Sequence, residues 1–218
     1  MAHIIKYSAW LALCCISVSA MADAPRHPIE TIPIGSVELS EHPDHRSRTW
    51  TGVGRLRGDN TSFCTATLID TRSESNPEGN SPAYIITNQR CLNTKGHGEY
   101  KYPGGIQTNH AFQGNIYFNN FHNTLGALKA HTLKKVTWQS NEGLNIAIVE
   151  LNTSLSTLIA EGIHPLKIAN RTPVTGDEIL TLGIPEFKNL HATHCTQMPA
   201  VDIATYPWVS TNLLKAGC

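Results

Sequence analysis

Short runs rich in β-branched and apolar residues, separated by turn residues, fill the chain from Trp50 onward, and this rhythm constrains the fold more than any other feature. Residues 50–57 and 62–69 flank Gly58-Asp59-Asn60, a turn signal between two strands. A polar loop over 70–82 precedes a β-branched run at 83–88. Residues 93–111 read as loop, with Gly96, Gly98 and the turn Pro103-Gly104-Gly105. Further strands are predicted over 115–118, 127–138, 144–151, 164–169, 178–182, 190–195 and 207–213. Strands recurring roughly every 8–12 residues, with turns between them, are the pattern of a β-sandwich or barrel. Long runs of helix formers are scarce, and there is no internal repeat or heptad, so the expected class is all-β.

The first residues read as a targeting segment. Lys6 lies in a short polar start, residues 7–18 are apolar, and Ala20 and Ala22 supply the small residues a signal peptidase reads. Residues 1–22 are therefore expected to be a signal peptide cleaved after Ala22, since the apolar run is shorter than the roughly 20 residues a membrane span needs. The expected location is secreted or periplasmic, with no membrane association after cleavage. Export leaves Cys64, Cys91, Cys195 and Cys218, an even set that reads as a disulfide framework in an oxidising compartment. Sequence proximity favours Cys64–Cys91 and Cys195–Cys218. Residues 23–49, broken by Pro25, Pro28, Pro33 and Pro43, read as an extended arm, with regular structure starting at Trp50. The 17 basic side chains balance 17 acidic ones, so no electrostatic footprint for nucleic acid exists and no nucleic-acid partner is expected.

Two segments carry a family resemblance. Phe63-Cys64-Thr65-Ala66-Thr67-Leu68-Ile69, followed by Tyr84-Ile85-Ile86-Thr87-Asn88-Gln89-Arg90-Cys91, resembles a strand pair of the trypsin-like serine peptidases. There the text reads Cys-x-x-x-Leu-Ile, then two apolar residues and Thr-Ala-Ala-His-Cys. Leu144-Asn145-Ile146-Ala147-Ile148-Val149-Glu150-Leu151 is similar to the family's Asp-Ile-Ala-Leu-x-x-Leu strand. Gly176 to Pro185 is similar to the strand that opens the second barrel, in the manner of the bacterial branch. The resemblance runs from Trp50 to the last residue. It implies a trypsin-like double antiparallel β-barrel with the site in the cleft between barrels, and a Cys64–Cys91 disulfide. Residues 50–170 would form the first barrel and linker, and 171–218 part of the second. Three strands counted after Gly176, against the six a closed barrel needs, imply an incomplete second barrel. Its edges would be left by truncation or covered by a partner chain that completes it.

The departures decide the expected chemistry. The family's general base is a histidine before the second cysteine, and Arg90 stands there. A guanidinium stays protonated and takes no proton from a serine. The acid that orients the base is replaced by Asn145. In trypsin-type enzymes that exchange alone costs about 10⁴ in turnover. The Gly-x-Ser-Gly nucleophile motif has no counterpart in the sequence. No catalytic residue is thus intact. The expected product is a secreted, proteolytically inactive peptidase homologue whose partner is a peptide or protein held at the first barrel and the cleft. The alternatives are a truncated piece of a serine endopeptidase that cleaves when complete, and a decayed gene product. Arg90 is expected to donate to the Asn145 side-chain oxygen, replacing a His–Asp contact.

The remaining chemistry lies in eleven histidines. His191, His194 and Cys195 have zinc-like spacing on a helix, but in a strand residues three apart point to opposite faces. No metal or cofactor is expected. His97 reads as an exposed loop residue, and His131, near Lys129, Lys134 and Lys135, as part of a solvated strand face.

Overall fold

A computed structural model describes residues 36–41, 46–58, 63–92, 105–124, 128–140, 145–185, 189–198 and 216–217. The first sheet is built from β2 (Val53–Gly58), β3 (Cys64–Ile69), β4 (Pro82–Asn88), β5 (Ile106–Ala111), β6 (Gly114–Tyr117), β7 (Ala130–Ser140) and β8 (Ile146–Ser154). All its pairings are antiparallel. The eleven-residue β7 pairs with β6 on one side and β8 on the other, which closes a six-stranded barrel in the order β6-β2-β3-β4-β8-β7. Strand β5 adds to β7 beyond the end of β6.

Alternation explains why these strands close. In β4, Ala83, Ile85 and Thr87 are buried while their neighbours are not. In β8, Ala147, Val149 and Leu151 face inward. The register sets Leu68 opposite Ile85, Ile85 opposite Val149, and Val149 opposite Val136. These four side chains form one fully shielded rung across four strands. Each such burial is worth roughly 1.5–3 kcal/mol. Helix α1 (Leu155–Ala160) plugs the barrel with Leu155 and Leu158, both fully buried. Its N-cap is Ser154, whose hydroxyl accepts from Thr157 N at 3.1 Å.

The second sheet centres on β10 (His191–Gln197). Strand β9 (Glu178–Gly183) pairs along one side of it. Along the other lie β1 (Ser36–Glu38) opposite residues 191–193, and β11 (Ala216–Gly217) opposite 196–197. A second apolar core of Leu39, Trp50, Val53, Phe121, Ile184, Leu190 and Ala192 joins this sheet to the barrel.

Several local readings change. Regular structure begins before Trp50: β1 lies in the proline-broken arm, because β10 supplies its hydrogen-bond partners from 155 residues away in sequence and Leu39 is buried behind it. Residues 106–111, read as loop, form β5, a polar edge strand that alternation does not reveal. Residues 164–169 form no strand. They lie as a strap over β3 with one parallel bridge, Ile69 to Leu166. The strand expected over 207–213 lies outside the described residues, as do residues 1–22 and His97.

Candidate functional site

The segment after β4 carries the first candidate residue. A 3-10 turn at Gln89–Leu92 follows the strand directly. Asn88 starts it by accepting from Arg90 N through Oδ1 at 2.9 Å, an Asx-type turn. The Cys64–Cys91 disulfide ties this turn back to β3, with Cα atoms 5.9 Å apart. Asn145 immediately precedes β8, the neighbour of β4 in the barrel. Gln89 N–H donates to Asn145 O at 3.1 Å. The fold therefore brings positions 90 and 145, 55 apart in sequence, to one corner of the barrel.

The contact at that corner is not the expected one. Arg90 and Asn145 are both exposed, and among the described residues no side-chain hydrogen bond joins them. The backbone bond from Gln89 does the joining, because β4 and β8 are already in register at Asn88 and Ile146. Gln89 itself went unread in the sequence. It is 6% exposed, and among the described residues its buried Oε1 has no hydrogen-bond partner. Only burial, which a polar residue type does not advertise, singles it out.

Thr65, next to Cys64, connects this corner to the second sheet. Its carbonyl accepts from Thr87 Oγ1 at 2.9 Å, and its own hydroxyl oxygen accepts from Ile184 N at 2.8 Å. The corner thus faces the junction of barrel and second sheet. An exposed guanidinium beside a carboxamide can bind a carboxylate or donate to carbonyls, but it offers no base to activate a hydroxyl.

The second sheet anchors the arm through polar contacts. Glu38 accepts from Asn189 Nδ2 at 2.5 Å and sits 3.3 Å from His122 Nδ1. The Asn189 hydrogen bond, aided by His122, holds the Glu38 carboxyl below its ordinary value. His191 Nδ1 lies 3.1 Å from Ser36 Oγ, and His194 Nε2 lies 3.9 Å from Glu178 Oε1. The two β10 histidines thus have separate neighbours. Among the described residues no group of three or more His, Cys, Asp or Glu side chains converges. Cys195 is disulfide-bonded, and Cys218 lies outside the described residues.

His131 departs from its reading as a solvated residue. It is 6% exposed, because β7 turns it toward Phe118, with ring centroids 5.6 Å apart. Burial pushes its pKa below the usual imidazole value; Glu161 pulls it upward and Lys129 pushes it down. A base held below its unfolded pKa opposes folding once the unfolded chain binds the proton more readily. Its stabilising neutral form is fully present above about pH 6.5, and stability falls as the pH drops from there toward the lowered folded value. Denaturant midpoints are therefore expected to rise with pH from the lowered folded value up to about 6.5, and this rise is expected to flatten in His131→Gln. An identical slope in the variant would assign the effect elsewhere.

Neither the comparison with protein-family models nor that with curated proteins gave a match. Among solved structures the chain is similar to GrC, at 12% sequence identity and a TM-score of 0.51, over 85% of this chain and 76% of that one. At this identity the likeness concerns the fold, and together with the closed six-stranded barrel and the second sheet it shows an all-β, trypsin-like fold.

Proposed function

We propose that this chain is an exported homologue of the serine peptidases that holds a peptide or protein without cleaving it. One observation carries the reading: the positions that the family gives to its base and its orienting acid lie side by side at one barrel corner, and they carry Arg90 and Asn145. The pair keeps the architecture of a catalytic corner and has no proton acceptor of suitable pKa. Strand edges support the binding half. Among the described residues β5 pairs only with β7, and β9 only with β10. Each leaves backbone donors and acceptors along one side for an added strand. Export is supported by the signal-like residues 1–22 and by the Cys64–Cys91 disulfide, a bond that persists in oxidising compartments. Among the described residues no helix is long and apolar enough to cross a membrane. A second bond, Cys195–Cys218, belongs to the same proposal.

The test is incubation of the purified chain with a complex mixture of tryptic peptides, followed by mass spectrometry of the bound and free fractions. A subset of peptides is expected to be retained intact. New peptide termini that accumulate with time and scale with protein concentration would refute the reading.

A further inference from the structure

The stretch that joins the first barrel to the second sheet leaves its backbone open. Residues 167–172 are exposed, and Ile168 and Val174, at 71% and 62% exposure, are apolar side chains left outside both cores. Among the described residues no backbone N–H or C=O of residues 167–173 takes part in a hydrogen bond. Pro173 contributes to this, since it has no N–H and its ring disfavours the helical region for Thr172. Both ends of the stretch are fastened. Leu166 N donates to Leu68 O and Leu166 O accepts from Asp70 N, each at 2.9 Å. At the far end Val174 N donates to Asp177 Oδ2 at 3.0 Å, and Gly176 N donates to Gln197 O at 2.9 Å.

An endopeptidase takes its substrate as an extended strand, through main-chain hydrogen bonds and pockets for side chains. A folded chain resists where that backbone is already paired, and is cut where exposed backbone has no native bonds to open. Side chains then choose the enzyme. The stretch holds two basic residues, Lys167 and Arg171, and the geometry separates them. A cut after Lys167 requires the backbone of Leu166, which is bonded at both its N–H and its C=O. Opening two such bonds lowers the competent population by on the order of tenfold to a hundredfold. Arg171 has unbonded backbone on both sides, over 168–170 and 172–173. Its side chain is 69% exposed and pairs with Asp177 Oδ2 at 2.7 Å, a surface ion pair that the acidic pocket of an arginine-selective enzyme replaces at little cost. By contrast, Arg72 is held by both oxygens of Asp70, and Arg90 lies in the turn tied down by the disulfide.

We propose that the Arg171–Thr172 bond is a processing site, hydrolysed by a separate endopeptidase selective for arginine, and that the two pieces stay assembled. Water adds across the amide and the C–N bond breaks. The water oxygen goes to the Arg171 carbonyl carbon and its two protons to the Thr172 nitrogen, leaving a carboxylate and an ammonium. The pieces stay together through contacts that bypass the cut. Strand β1 remains paired with β10, Ile184 N with Thr65 Oγ1 and Leu190 N with Asn120 O, each of the last two at 2.8 Å. The second apolar core draws on both pieces. The cut does not depend on what the Arg90–Asn145 corner binds, so the two readings stand or fall separately.

The full chain is digested under native conditions with an arginine-specific and, separately, a lysine-specific endopeptidase, with a synthetic peptide of residues 165–177 as the unfolded standard. Cuts are located by intact mass. Relative to the same bond in the peptide, the bond after Arg171 is expected to be cut at least about tenfold faster than the bond after Lys167. It is also expected to be cut before those after Arg72 and Arg90. Arg171→Lys is expected to pass the cut to the lysine-specific enzyme at the same bond. The nicked chain is expected to elute with the intact chain in size exclusion and to separate into two pieces only in urea with a reductant. Equal relative rates at Lys167 and Arg171, an earlier cut after Arg72 or Arg90, no cut after Arg171, or a resistant Arg171→Lys variant would overturn the site. Separation of the pieces without denaturant would overturn the assembled product.

Discussion

Gly52→Ala is expected to destabilise the chain by about 3 kcal/mol, the upper end of the usual cost of overpacking. A Cβ at position 52 would sit 2.2 Å from His164 O and 3.2 Å from His164 C, both backbone atoms. Neither side can yield cheaply. Gly52 O accepts from Leu68 N at 2.8 Å, which fixes it to β3. His164 N donates to Thr51 Oγ1 at 2.8 Å. Two residues on, Leu166 N donates to Leu68 O and Leu166 O accepts from Asp70 N, each at 2.9 Å. The strap that begins at His164 is thus held at His164 and Leu166, at the point where the added methyl would push it away. Gly162→Ala is the informative comparison. It faces open space but has φ 83°, so its cost is conformational, about 1 kcal/mol. Urea midpoints of the two variants decide the matter. A Gly52→Ala variant no less stable than Gly162→Ala would mean that the strap is not packed as described.

Loss of the Cys64–Cys91 bridge is the second large effect. The bond closes a loop of sequence separation 27, and chain entropy assigns it about 3.5 kcal/mol. The paired substitution Cys64→Ala with Cys91→Ala removes the bond without leaving a free thiol. Its consequences are expected to be both global and local. The bridge fastens the Gln89–Leu92 turn to β3, and that turn carries Arg90 and donates to Asn145 O. Amide exchange at residues 89–92 is expected to accelerate beyond what the fall in global stability explains. A variant within about 1 kcal/mol of the parent, with unchanged exchange at 89–92, would show that the corner is held by strand pairing alone.

Much of the barrel was legible in the sequence, for a physical reason that also marks the limit of such reading. β3, β4 and β8 have one face in an apolar core, so burial writes itself into their text as alternation or as an apolar run. Cys64, Cys91, Arg90 and Asn145 could be placed in or beside those strands because the strands themselves were clear. Elements that owe their structure to distant partners stayed hidden. β1 is three residues of a proline-broken arm, ordered by β10. β5 is a polar edge strand, ordered by β7. His131 looked solvated because three lysines surround it in the sequence, yet two of them turn away from it: Lys134 and Lys135 reach the buried Glu150 at 2.6 and 3.3 Å, while His131 packs against Phe118. The contact expected between Arg90 and Asn145 lies at the right corner but joins other atoms: residue type suggests a side-chain bond, whereas strand register imposes the backbone bond from Gln89 N–H to Asn145 O.

The proposed absence of a working acyl-transfer site in this trypsin-like fold is tested most directly by covalent labelling. The purified chain is incubated with a fluorophosphonate, which reacts with a serine only where a base and an oxyanion site activate it. Intact-mass measurement is expected to show no adduct, with labelling no faster than in the heat-denatured chain. A stoichiometric adduct on a single serine, formed in the folded chain and abolished by denaturation, would contradict the account.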